Sequence, residues 1–80
     1  MISTKQVKAA RLFLEWEQRD LAERSGVSLP TIQRMEKLGM ERSQAGNAER
    51  VQRALEDGGI EFIPDNGGGV GVRLRARRVT

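Results

Sequence analysis

The chemistry open to this chain is defined first by what is missing. None of the 80 residues is Cys or His. That removes disulfides, thiol nucleophiles, the usual zinc ligands and the commonest general base. The 11 acidic residues are spread along the chain with no carboxylate pair in a catalytic context. The run Gly67-Gly68-Gly69-Val70-Gly71 lacks the Gly-Lys-Ser/Thr ending of a phosphate loop and reads as turn geometry. No enzymatic, metal or cofactor chemistry is therefore expected. What remains is cationic. Residues 71–80 carry Arg73, Arg75, Arg77 and Arg78 and no acid, while the other seventy hold 10 basic and 11 acidic groups. A near-neutral body with a basic tail points to nucleic acid or another anionic partner, and the plainer alternative is a solvated tail that keeps the chain soluble.

The elements that must position such groups follow from apolar spacing. Thr4 to Leu14 reads as a helix capped by Thr4, with Val7, Ala10 and Leu14 on one face. Glu15 to Glu17 is a short connection, and Trp16 is expected to fold back onto the core as a packing residue. Gln18 to Ser25 is a second, short helix with Leu21 and Ala22 inward, ended by Gly26. Ser28 is an N-cap and Pro30 falls in the first turn of a third helix, Leu29 to about Leu38, with Ile32, Met35 and Leu38 inward. Met40 to Gly46 reads as a loop. Asn47 is the expected cap of a fourth helix, Ala48 to Glu56, broken by Asp57-Gly58-Gly59. Ile60 and Phe62, then Val70, Val72 and Leu74, alternate with polar residues or Gly around a Gly-rich turn, which is a β-hairpin pattern. The division expected is a helical domain over 1–57, a hairpin over 58–75 and a basic tail over 76–80.

The segment Gln18 to Ile32 has the mechanics of a helix-turn-helix. Ala22 is small enough for two helices to approach, Gly26 makes the turn, Val27 and Ile32 fill the angle, and Leu21 anchors the pair to the first helix. The pattern QxxLAxxxGVSxxTIxxxE, with Arg11 and Trp16 ahead of it, resembles the phage Cro/repressor-type helix-turn-helix family, also called the xenobiotic-response-element family. The resemblance covers about Val7 to Glu36. The ending ALE.GG.EFI, followed by a Gly-rich turn and GVRL, also looks like that of many small bacterial members. It implies a mainly α fold, a four-helix repressor-like domain with a C-terminal β-hairpin, and binding to double-stranded DNA. It assigns Leu29, Pro30, Gln33 and Arg34 to base readout, and Gln18, Ser28, Thr31 and Lys37 to phosphates. Arg34 suits guanine and Gln33 adenine, whereas Leu29 and Pro30 offer only apolar contact, for example with a thymine methyl. Arg11 and Glu36 match a structural salt bridge between the first and third helices.

One such unit reads few base pairs, so a homodimer on a palindromic operator is expected. An isolated hairpin is marginal in water. Ile60, Phe62, Ile63, Val70, Val72 and Leu74 are therefore the candidate dimer interface. Arg75, Arg77 and Arg78 are candidates for added DNA contacts. Two other roles stay open on the same fold: an antitoxin-type regulator that also binds a toxin, and a protein-interaction adaptor. No apolar run is long enough to span a bilayer, and the N-terminal residues lack a signal-peptide core, so a cytoplasmic location is expected.

Overall fold

The computed structural model describes residues 2–75. Four helices precede a two-stranded antiparallel hairpin: α1 (Thr4–Leu14), α2 (Gln18–Ser25), α3 (Leu29–Leu38), α4 (Ala45–Asp57), β1 (Ile60–Ile63) and β2 (Gly71–Leu74). A short 3-10 turn, Met40–Arg42, links α3 to α4. The mainly α fold with a C-terminal hairpin is the one the sequence pattern implies. Among the described residues no helix is long and apolar enough to cross a membrane.

The bounds of α1, α2 and α3 coincide with those expected from sequence, because each end carries a local signal. Gly26 takes a left-handed φ of 74° and its N–H donates to the Ala22 carbonyl at 3.0 Å, closing α2. The cap of α1 differs. It is Ser3, whose hydroxyl accepts from the Gln6 N–H at 3.2 Å while Gln6 Oε1 accepts from the Ser3 N–H at 2.8 Å. Thr4 instead donates its hydroxyl to the Met35 carbonyl at 3.1 Å and ties α1 to α3.

The stretch expected to be loop is mostly ordered structure. Met40 is almost fully buried, and Ser43 Oγ donates to its carbonyl at 2.6 Å, so the turn after α3 packs instead of floating. With the chain anchored there, α4 starts at Ala45, three residues before the expected Ala48, and Asn47 lies in its first turn without capping it. Met40 also takes the core place assigned to Leu38, which is 51% exposed.

One core unites helices and hairpin. Leu21, Ile32, Met40, Leu55, Val7, Val51 and Ile60 are its largest fully buried side chains, with Leu14, Trp16, Phe62 and Val72 packed against it. β1 lies against α4 and β2 against α1, in the register Ile60 to Leu74 and Phe62 to Val72. Ile60 is therefore committed to the protein's own core, which removes it from the expected dimer interface. Gln6, itself buried, donates its amide to the Gly71 and Ile63 carbonyls at 2.9 and 3.4 Å and fastens the loop end of the hairpin to α1. On the outer face Arg73 forks onto Glu61 at 2.8 and 3.0 Å, which lowers the Glu61 pKa and raises that of Arg73. The Gly67 and Gly69 N–H groups hold the Asp65 carboxyl below its usual range in the connecting loop.

Trp16 sits where the helices meet the hairpin, with the Arg24 guanidinium 4.5 Å from its ring centroid. A Cβ on Gly58 would lie 2.8 Å from Trp16 Cη2 and 3.0 Å from Leu14 Cδ1, although the Gly58 backbone is helical. A Cβ on Gly46, in α4, would have nothing within 4 Å. The same substitution should thus act in opposite directions. Gly58→Ala is expected to destabilise by about 1–3 kcal/mol through overpacking, and Gly46→Ala to stabilise by about 0.5–1 kcal/mol through lower unfolded-state entropy. Urea unfolding followed by Trp16 fluorescence checks both signs.

Candidate nucleic-acid interface

The site is built around the buried carboxylate of Glu36. It lies in the last turn of α3 and accepts Arg11 Nε and Nη2, each at 2.8 Å, in a bidentate fork from α1. Gln18 Nε2, from the first residue of α2, adds a third bond at 3.2 Å, and Arg11 Nη1 reaches the Trp16 carbonyl at 3.0 Å. The salt bridge expected between Arg11 and Glu36 is present, and it does more than join two helices. It fixes the angle among α1, the start of α2 and α3.

That arrangement leaves one side of α3 exposed in two rows of residues spaced by four, which on a helix stand above one another. One row is Leu29, Gln33 and Lys37, and the other is Pro30, Arg34 and Leu38. Leu29 is half-buried and the other five are exposed. Each row borders a cleft. The first, about 240 Å³, brings Lys8, Gln18, Gln33 and Lys37 together above Glu36. The second, about 320 Å³, places Arg34 and Thr31 opposite Ser43, Gln44 and Asn47 at the start of α4.

The residues proposed from sequence for base readout therefore share one helix face, and Gln18 and Lys37 flank it. Ser28 departs from expectation as a cap, and it is tied to Thr31. Their hydroxyls bond each other at 2.8 Å, and Ser28 makes no side-chain cap bond to α3 although it occupies the cap position. The Gln18 amide donates one of its two N–H groups to Glu36, so its second amide N–H and the backbone N–H at the start of α2 are the donors left for an anion. The N-terminus of α2 also carries acids, since the Glu17 N–H donates to Asp20 Oδ2 at 2.8 Å. Sequence reasoning missed Lys8, which is three residues from Arg11 on α1, and Asn47, whose residue type suggests only a cap. The signal for Lys8 was its spacing from Arg11, but only the crossing of α1 over α3 puts it beside Lys37.

The hairpin lies on the other flank of α1, packed chiefly against α1 and α4. Arg75 does not extend from it. Its Nη2 donates to the Glu56 carbonyl at 2.7 Å near the end of α4, and its N–H donates to the Gly59 carbonyl at 2.8 Å. Arg75 is thus anchored to the body of the fold while it stays exposed; Arg77 and Arg78 lie outside the described residues. Of the expected dimer residues other than Ile60, Phe62, Ile63 and Val72 are half-buried, and Val70 and Leu74 are exposed. Two exposed apolar residues were not foreseen, Leu12 and Phe13, at 79% and 51%.

No protein-family model matches the chain, and no curated protein matches it. The functional reading rests on the residues and their geometry.

Removing only one member of the central pair strands a charge. Glu36→Ala is expected to destabilise by about 3 kcal/mol, whereas Arg11→Met with Glu36→Leu should recover most of that loss, as apolar replacements of buried pairs commonly do. Denaturant midpoints of the two variants at neutral pH measure the difference.

Proposed function

We propose that this chain is a sequence-specific transcriptional regulator of Cro/repressor type, a cytoplasmic protein that binds palindromic double-stranded DNA as a homodimer. The observation that carries the reading is the exposed face of α3, where Gln33 and Arg34 stand side by side between two clefts that hold Lys8 and Lys37 on one flank and the start of α4 on the other. A helix of this width fits the major groove of B-DNA. Arg34 would donate a fork to guanine O6 and N7, and Gln33 would pair with the N6/N7 edge of adenine. Lys8, Lys37 and the α2 N-terminus would meet phosphates on either side of the groove. Arg77 and Arg78 would add charge without sequence information.

The dimer reading is supported by an apolar seam. Gln6 bonds Gly71 at one end of α1, while at the other Leu14 borders Gly58 and the next residue, Gly59, borders Leu74. α1 and β2 thus run the same way, and the exposed Phe13 and Leu74 lie at one end of the pair. A second copy would cover them, with Val70 and the half-buried edges of Phe62 and Val72 continuing the interface along the hairpin, while Ile63 projects from the opposite face that carries Glu61 and Arg73.

Selection from a pool of random duplexes by the full chain should return a palindrome. Gln33→Ala and Arg34→Ala should each relax selection at one step by about 1–3 kcal/mol. Lys8→Ala and Lys37→Ala should weaken binding to all sequences and each reduce the salt slope by about 1. Failure to enrich any sequence at moderate salt would refute the reading. For the dimer, Leu74→Glu should shift light scattering at micromolar concentration from dimer to monomer while leaving the helical circular dichroism intact; a wild-type chain that is already monomeric there would overturn it.

A further inference from the structure

The tip of α3 has a chemistry of its own, and its interpretation rests on the DNA-binding reading above. Counting along the exposed face, the two rows give three pairs in succession: Leu29 with Pro30, Gln33 with Arg34, Lys37 with Leu38. The middle pair can exchange hydrogen bonds with base edges. The first pair cannot, because neither side chain carries a donor or acceptor. Its neighbours add little. Ser28 Oγ and Thr31 Oγ1 are 2.8 Å apart, which engages one of their two O–H donors and turns the hydroxyls toward each other, and Pro30 lacks the backbone N–H that another residue would present in the first turn. This first turn is also stiff. Pro30 has a fixed ring, and Leu29 is half-buried, held against the protein along part of its side chain.

We infer that the first turn of α3 recognises the 5-methyl group of a pyrimidine. In the major groove that methyl is the one apolar feature a base pair presents. It is carried by thymine and equally by 5-methylcytosine, and it is absent from uracil and cytosine. Four residues of helix advance about 6 Å, close to two base-pair steps at roughly 3.4 Å each. The methyl read by Leu29 and Pro30 therefore belongs to a base about two steps from the one read by Gln33 and Arg34. Because the contact is apolar, either base that carries the methyl satisfies it, and cytosine methylation within the operator would tighten binding at a step where cytosine replaces thymine.

The test starts from the palindrome enriched by the full-length chain. Each thymine of the half-sites is replaced by deoxyuridine, one position at a time, which removes only the methyl. At one step, about two from the Gln33/Arg34 step, the loss should be about fourfold per half-site, the worth of one methyl-sized group withdrawn from water. Cytosine at that step, paired with guanine, should bind more weakly than 5-methylcytosine by a similar factor. Pro30→Ala with Leu29→Ala, checked for an unchanged helical spectrum, should bind thymine and deoxyuridine duplexes alike; Pro30→Ala alone, at an exposed position, serves if the double variant is unstable and should reduce the penalty. Equal binding of thymine and deoxyuridine duplexes at every step, with sequence selection intact, would overturn the inference and leave the DNA-binding reading standing. A selected site with no thymine within three steps of the Gln33/Arg34 step would overturn it as well. Absence of any selected sequence would instead sink the DNA-binding reading, and this inference with it.

Discussion

The buried carboxylate of Glu36 is the constraint on which the rest of the arrangement depends. A charge with 4% exposure must be matched by donors on every accessible side. Here the donors come from two other helices: Arg11 from α1 in a fork and Gln18 from the start of α2. The net stabilisation of such a pair is small, because desolvation offsets most of the attraction. Its value is directional. Three bonds of defined geometry converge on one residue of α3 and, with the burial of Ile32 and Met35, set the rotation of the helix about its axis. That rotation presents Gln33, Arg34 and Lys37 outward.

The hairpin is held by a second polar device of the same kind. Gln6 is buried beside Val7 and Ala10, and its amide satisfies carbonyls at the loop end of both strands while its oxygen closes the cap of α1. A two-stranded sheet would be marginal alone. Ile60 in the common core and Gln6 at the far end make it part of the helical body. Its outer face keeps the Glu61–Arg73 pair in solvent, where such a pair contributes little. Because α1 stands between hairpin and α3, the mixed face of α3 and the apolar surface around Phe13 and Leu74 are separate.

Most of the fold was legible in the sequence because its signals are local. Ser28, Pro30 and Gly26 mark the ends around the turn, and the 3.6-residue spacing of Val7, Ala10 and Leu14 marks a face. The errors fall where a distant contact overrides a local preference. Asn47 has a strong capping tendency, yet the burial of Met40 anchors the chain early enough for α4 to begin before it. Ile60 has the same alternating pattern as Leu74, but one strand faces the α4 core and the other its margin. The candidate site was legible where it depends on the helix-turn-helix spacing, as for Gln33 and Arg34. Lys8 was not, since its place beside Lys37 comes from the crossing of α1 and α3. The mutual bond between Ser28 and Thr31 was not either, because the sequence marks Ser28 as the helix cap and Thr31, three residues on, as a separate phosphate residue.

The central claim is that the α3 face meets duplex DNA. The most direct measurement is amide nuclear magnetic resonance of the full chain titrated with its selected duplex. The account predicts that the largest shifts fall on Lys8, Gln18, Leu29, Thr31 to Lys37 and Ser43 to Asn47, with the Phe13 and Glu61–Arg73 surfaces little changed. Shifts concentrated on α1 around Phe13 and on the hairpin, with α3 unperturbed, would contradict it.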